Sequence, residues 1–373
     1  MIEALFLVLT VIYFLVLLFF YVGIKKVENQ PQTTNNWKPR VSVLIAARDE
    51  SSTIISTLES ISKQTYPNNK LEVIVIDDQS VDNTSEVVEQ FINEKKLQHF
   101  KLLKHSSDGR KPTYKKSAIT YALDFAQGEI IMTTDADCKV GPQWIESMVN
   151  QYDDQTGMVA GIIVYNYDNE KSLFRNLQAL EFSGLVFTGV GCVGMNYPII
   201  CNGSNLSYRR KAFDDVGGFK GHSHLPSGDD DLLMQNLHSK TRWKIKYNLN
   251  EESINFTRPS ESISEFLQQR SRWASKSTHY PGFKTILMLL FFYIFYIFLF
   301  ISIPLAILNL FSLKILFLGF LLKVIADYLI VSKALFHIKR KDLISYIWIA
   351  EIFQIPYILI AGFRGFFNLF KWK

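Results

Sequence analysis

Four groups of polar residues in this chain have the types and spacing for chemistry. Asp77 and Asp78 follow the apolar run 71–76, and Asp135 and Asp137 follow the apolar run 129–133. Alternate residues of an extended segment point the same way, so Asp135 and Asp137 can offer two carboxylates to one hard cation. The plainer reading of Asp77-Asp78-Gln79-Ser80 is a helix N-cap, a place that Asp and Ser serve well. Asp229, Asp230 and Asp231 stand together ahead of LLMQNL. Such a triplet is either a solvated helix start, favoured by the helix dipole, or a source of a general base. The segment Gln269-Arg270-Ser271-Arg272-Trp273 joins guanidinium forks suited to phosphate oxygens with a flat aromatic face. Its plainer reading is a basic, aromatic belt at a membrane interface.

The elements that must position these groups alternate between strand and helix. Residues 41–47 (VSVLIAA) form a short apolar run without polar alternation, as expected of a strand covered on both faces. Ile54, Ile55, Leu58 and Ile61 then recur at helical spacing, residues 71–76 make a second strand, and residues 80–91 a second helix. A third helix is expected over 117–126 and a third strand over 129–133. This rhythm predicts an α/β fold with a parallel or mixed sheet flanked by helices, in which ligands gather at the carboxyl ends of strands. Two carboxylate clusters opening onto one crevice repel each other unless a cation or donor groups lie among them. A divalent metal and a polar ligand are implied.

The rest of the chain is written for lipid. Of 373 residues 48% are hydrophobic and 29 are Phe, more apolar surface than one water-soluble core can hide. Residues 4–24 carry no charge and have about the length that crosses a bilayer core. A cleaved signal peptide is the competing reading, but the run lacks a basic leader and a small-residue cleavage site. Lys25 and Lys26 follow at once and direct what comes next to the cytoplasm. Apolar character returns over 285–311, 313–336 and 343–362. Lys323 and Asp327, four residues apart in the second block, are expected to pair on one helical face, with a headgroup or gating role for Asp327 as the alternative. The third block is a further span, a re-entrant segment or an interfacial helix. A net charge of +5 is too small for a nucleic-acid footprint. Three cysteines without paired spacing exclude a disulfide framework or a zinc ribbon and point to a reducing compartment.

Taken together and in order, these motifs resemble those of family 2 glycosyltransferases with a GT-A fold. The resemblance runs from Val41 to about Tyr280 and extends to the membrane layout. VSVLIAARDE is similar to the family's opening strand and loop, with Ala46 where proline is common and Asp49 where asparagine is common. It places Ala46, Arg48 and Glu50 on the donor side. VIVIDDQSVDNT resembles the strand end that binds the nucleotide, where Asp78 would accept from the base and Asp77 would support it. Lys115 matches a lysine that contacts the donor. In TTDADC, Asp135 would face ribose and diphosphate and Asp137 the metal, Mg²⁺ or Mn²⁺. Residues 202–219, with Asn202 and Gly203 at their head, resemble the acceptor side. The family often has Glu-Asp-x-x-Leu next; this chain has Gly228-Asp229-Asp230-Asp231-Leu232, so Asp229 takes the place of the catalytic base and Asp230 competes for it. Gln269-x-x-Arg272-Trp273 is an intact QxxRW, found in cellulose and hyaluronan synthases and ceramide glucosyltransferases. It would line both donor and acceptor.

The resemblance implies an inverting, metal-dependent transfer of a sugar from a nucleotide donor, with UDP favoured, to a lipid or lipid-linked acceptor in glycolipid biosynthesis. It also implies a division into an N-terminal transmembrane helix (1–26), a linker (27–39), a cytoplasmic GT-A domain (40–282) and a C-terminal membrane region with two or three helices (283–373). The setting expected is the bacterial inner membrane. Two rivals are a processive polysaccharide synthase, for which so few helices make a poor channel, and a non-catalytic nucleotide-sugar receptor. The stretch from Gly189 to Gly194 matches GxGxxG, but it lies mid-chain without the acidic partner of a dinucleotide site, and residues 182–195 read instead as an apolar, small-residue surface lying against the membrane or the first helix. His222 and His224 read as a loop pair, with His224 as a candidate on the acceptor side.

Overall fold

The computed structural model describes residues 1–30, 36–106, 114–166, 172–223, 225 and 227–371. His224 and linker residues 31–35 lie outside the described residues. In chain order the elements are α1 (Ile2–Glu28), β1 (Val41–Ala47), α2 (Ile54–Ser62), β2 (Leu71–Asp77), α3 (Thr84–Lys95), β3 (Phe100–Lys104), α4 (Lys115–Leu123), β4 (Ile130–Asp135), β5 (Lys139–Val140), α5 (Trp144–Val149), β6 (Thr156–Gly161), β7 (Ile163–Tyr165), α6 (Leu173–Gly194), β8 (Leu206–Arg209), α7 (Arg210–Asp215), α8 (Asp231–Lys240), β9 (Lys244–Asn248), β10 (Asn255–Thr257), α9 (Ile263–Ser275), α10 (Phe283–Ile307), α11 (Leu313–His337) and α12 (Ile347–Phe366). They divide into two compact units. One holds Asn29–Tyr167 and Pro198–Arg258; the other holds Met1–Glu28, Asp168–Tyr197 and Pro259–Lys373.

The first unit is a mixed seven-stranded sheet in the order β3-β2-β1-β4-β8-β6-β9, flanked by helices, with a small second sheet β5-β10-β7. The expected α/β architecture is thus observed. β3, β2, β1 and β4 run parallel, and β8 is antiparallel to both its neighbours. The apolar runs of β1 and β2 have no polar alternation because both faces are covered. Val43 and Val73 share a core with Leu58 and Ile61 of α2, while Ala118, Ile119 and Ala122 bury α4 against the same two strands. Register then delivers the acids. Ala46 pairs with Asp135 on one side and Ala47 with Asp77 on the other. Both acidic strand ends therefore flank the end of β1, two strand spacings or roughly 10 Å apart, and the small side chains at that end leave the crevice open.

The second unit is helical. Five segments among the described residues are long and apolar enough to cross a membrane: Ile2–Glu28, Leu173–Gly194, Phe283–Ile307, Leu313–His337 and Lys341–Phe366. Leu173–Gly194 is longer than the apolar surface read from sequence over 182–195, and lies against the first helix, one of the two settings expected for it. It is a 22-residue helix packed on α1. Its glycines are the reason. A Cβ on Gly191 would stand 2.3 Å from the Phe20 carbonyl oxygen, and one on Gly194 would stand 2.0 Å from that of Gly23. Only hydrogen at those positions permits the close backbone approach, as in other small-residue helix pairs. The Lys323–Asp327 pair forms as expected, at 2.7 Å, and has further partners: Lys323 also donates to Glu351 and Gln354 of α12, and Tyr13 of α1 donates to Asp327 at 2.7 Å.

Candidate active site

The turns that follow β1 and β2 are laced together. Asp49 and Gln79 both adopt positive φ, 56° and 64°, a conformation that Asp tolerates better than most side chains. Asp49 accepts from the Val81 N–H at 2.8 Å, and its own N–H donates to the Ser80 hydroxyl at 3.0 Å. Asp77 spends both oxygens locally, accepting from the Ser80 N–H and the Ser85 hydroxyl. It is a brace for the turn. The neighbouring Asp78 is 5% exposed, and its Oδ1 lies 2.8 Å from Nδ1 of His105. Arg48 is exposed, and Ala46 is half-buried beside Asp135.

At the end of β4, Asp135, Asp137 and Cys138 offer ligand atoms within 4.8 Å of one another. Thr257 donates to Asp137 Oδ2 at 3.2 Å. Burial, then the charge of Asp135 and then that of Glu50, push the Asp137 carboxyl up to about 6. Crowded carboxylates with no cation between them behave this way. Asp135 and Asp137 offer hard oxygen donors of the kind that Mg²⁺ or Mn²⁺ takes, and could hold such an ion. Burial and the same two aspartates raise the Cys138 thiol well above its ordinary value.

Lys115 connects this cluster to the second group of acids. Its ammonium donates to Asp135 Oδ1 and lies 3.2 Å from Asp229 Oδ2. Burial opposes its charge, but Asp135 and then Asp229 more than compensate and hold its pKa above the ordinary lysine value. The loop before Asp229 is pinned by the next residue of α4: Lys116 donates to the carbonyls of His222 and Ser227 at 2.6 and 2.8 Å. Gly228, at φ 97°, then makes the turn that presents Asp229. Asp230 is the N-cap of α8, accepting from the Asp231 N–H at 2.7 Å and from the Gly203 N–H at 3.2 Å. A Cβ at Gly203 would sit 2.8 Å from Asp229 Oδ2, so a larger residue there would displace that carboxylate. Asn202 caps the turn holding Gly203, through the Ser204 N–H at 3.1 Å.

Gln269, Arg272 and Trp273 stand on α9 in the helical unit. Between them Arg270 is buried, bound to Glu181 of α6 and to the side chain of Gln269, with its guanidinium 4.3 Å from the Trp273 ring and 4.5 Å from that of Phe266. Tyr357 of α12 donates to Glu181 at 3.0 Å.

A strand-end Asp-x-Asp, a lysine and a further aspartate thus occupy one crevice of an α/β sheet. The family models agree with that geometry: Glycosyl transferase family 2 matches residues 42–217, and Glycosyl transferase family group 2 matches residues 130–361, more than half the chain. The chain belongs to the family 2 glycosyltransferases. This glycosyltransferase is 29% identical over 200 residues to glycosyltransferase AglE of Haloferax volcanii, covering 52% of this chain and 59% of that one. It is 26% identical over 245 residues to the beta-monoglucosyldiacylglycerol synthase of a Nostoc species, covering 63% and 48%. The chain spans about half to three fifths of the length of the curated relatives it matches. Among solved structures, the mannosyltransferase PcManGT from Pyrobaculum calidifontis, in complex with GDP-Man and Mn²⁺, shares the fold with a TM-score of 0.65 at 19% identity over 99% of both chains.

Sequence reasoning about this glycosyltransferase missed the approach of Glu50 to Asp137, the contact of Thr257 with the same carboxylate, and His105. No local spacing in the sequence announces any of the three.

Proposed function

We propose that this glycosyltransferase moves a sugar from a nucleoside-diphosphate donor, a UDP-sugar, to a lipid or lipid-linked acceptor at a membrane, with inversion at the anomeric carbon. The observation that carries the reading is the meeting of Lys115 with both Asp135 and Asp229. It sets Asp135, which with Asp137 would hold a diphosphate-binding cation, and a candidate base on either side of one ammonium. Asp229 takes the proton of an acceptor hydroxyl, whose oxygen bonds to the anomeric carbon as the bond from that carbon to the diphosphate breaks. The nucleoside diphosphate leaves with the electron pair, and Lys115 offsets its charge. A divalent ion held by Asp135 and Asp137 would supply further charge neutralisation there. Asp229 is preferred over Asp230 as the base because both Asp230 oxygens already accept backbone N–H groups.

Family resemblance assigns Arg272 to the diphosphate, Gln269 to the donor and Trp273 to the acceptor side. The five apolar helices and the relative named as a glycolipid synthase support a membrane acceptor, with the catalytic unit cytoplasmic by the Lys25–Lys26 flank. Incubating purified protein with a panel of nucleotide sugars and a membrane lipid extract, followed by mass spectrometry, tests the reading. New mono-glycosylated lipids support it. Long polymer, or no transfer from any donor, overturns it.

A further inference from the structure

His105 has no part in the transfer just described, yet it is held as firmly as any residue of the crevice. It directly follows β3, and its own N–H donates to the Asp77 carbonyl at 2.9 Å. Its ring lies 5.3 Å from that of Tyr121 on α4, tilted by 46°. Nδ1 is 2.8 Å from Asp78 Oδ1, with the two side chains 12% and 7% exposed. A carboxylate only accepts, so Nδ1 carries the proton and donates it. Asp78 Oδ2 has no partner among the described residues.

We propose that His105 sets the base specificity of the donor site: by occupying one oxygen of Asp78 it leaves a single acceptor, which selects a uracil or thymine nucleotide over a guanine one. This rests on the reading of Asp78 as the residue that accepts from the base. Uracil and thymine present one N–H between two carbonyls, and one carboxylate oxygen satisfies it. Guanine presents two neighbouring donors, N1–H and the 2-amino group, and both carboxylate oxygens are needed to receive them. With Oδ1 taken, one guanine donor enters a poorly hydrated site without an acceptor, which is penalised more heavily than a hydrogen bond is rewarded. Cytosine and adenine each turn a ring-nitrogen lone pair toward the carboxylate next to their amino group, and repel it. The backbone bond to Asp77 and the Tyr121 ring keep the imidazole from swinging aside to yield Oδ1.

Calorimetric titration of the full-length protein in detergent with Mn²⁺ tests this, using UDP, dTDP, GDP, CDP and ADP in turn. UDP and dTDP are expected to bind at least about tenfold more tightly than GDP, as an unmet buried donor implies. His105→Ala exposes both oxygens and should bring GDP to within about threefold of UDP. His105→Asn, whose amide N–H lies near the position of Nδ1–H, should restore the preference. GDP binding as tightly as UDP in the unaltered protein overturns the proposal. So does a UDP-to-GDP ratio unmoved by His105→Ala, or a preference lost in His105→Asn while binding persists. If His105→Ala fails to fold, the Asn variant alone decides. Failure of all five nucleotides to bind the unaltered protein removes the donor-site reading itself, and this proposal with it.

Discussion

Lys115 and Asp229 face each other at 3.2 Å, and the same ammonium also serves Asp135. In the proposed transfer the donor's diphosphate would compete with Asp229 for Lys115. Asp229→Asn should lower transfer by at least about a hundredfold, the usual scale of a lost general base. Nucleotide affinity should stay within a few-fold, because the metal cluster and Asp78 are intact. Asp230→Ala should act instead on stability, by about 1 kcal/mol for a lost helix cap. Turnover assays beside thermal unfolding of both variants check this, and full turnover in Asp229→Asn would move the base elsewhere.

Asp137→Ala removes one of the two carboxylates proposed as metal ligands. Nucleoside diphosphate affinity should then become independent of added Mn²⁺, and in the unaltered protein a chelator should produce the same loss. Calorimetry with and without chelator measures both. Equal affinity under all four conditions contradicts a metal role for Asp137.

His222 supplies a pH dependence of stability. The side chain is 4% exposed, and burial followed by the charge of Lys116 pushes its pKa down to about 4 from an ordinary 6.5. The unfolded chain therefore binds a proton more readily than the folded one between those values. The resulting stability is complete above pH 6.5 and is lost as pH falls toward 4. The unfolding midpoint should drop over that window, and His222→Leu, which cannot titrate, should reduce the slope. An unchanged slope in that variant would assign the acid sensitivity to other groups.

Lys323 pairs with two carboxylates inside the helical unit, Asp327 and Glu351. Lys323→Met would leave them buried together, and removal of one partner of such a cluster costs about 3–5 kcal/mol. A marked fall in thermal stability is expected, with partial recovery when Glu351→Leu is added. If the single variant unfolds at the temperature of the unaltered protein, the cluster contributes nothing to stability.

β1, β2 and β4 were legible because they are short, largely apolar runs, and the acidic ends of β2 and β4 because those runs stop at carboxylates. Burial on both faces leaves that mark in any sequence. α6 was not legible as a membrane-type helix. Arg175 and Glu181 interrupt its apolar character, and the close backbone approach of α1 to its glycines is not written in its local pattern. The contacts of Lys116 with the loop at 222–227, and of His105 with Asp78, join positions far apart in the chain or on different strands, where no local spacing announces them.

By itself the amino-acid sequence determined the lipid-suited segments at the two ends of the chain, the buried strands β1, β2 and β4, and the acids that follow β2 and β4, because hydrophobic patterning and strand termination are local properties. Tertiary structure alone decided the division of labour among those acids. Asp77 became a brace, Asp78 a partner of His105, Asp230 a helix cap and Asp229 the carboxylate facing Lys115. A carboxylate's role depends on which donors reach its two oxygens, and chain folding brings those donors in from elsewhere.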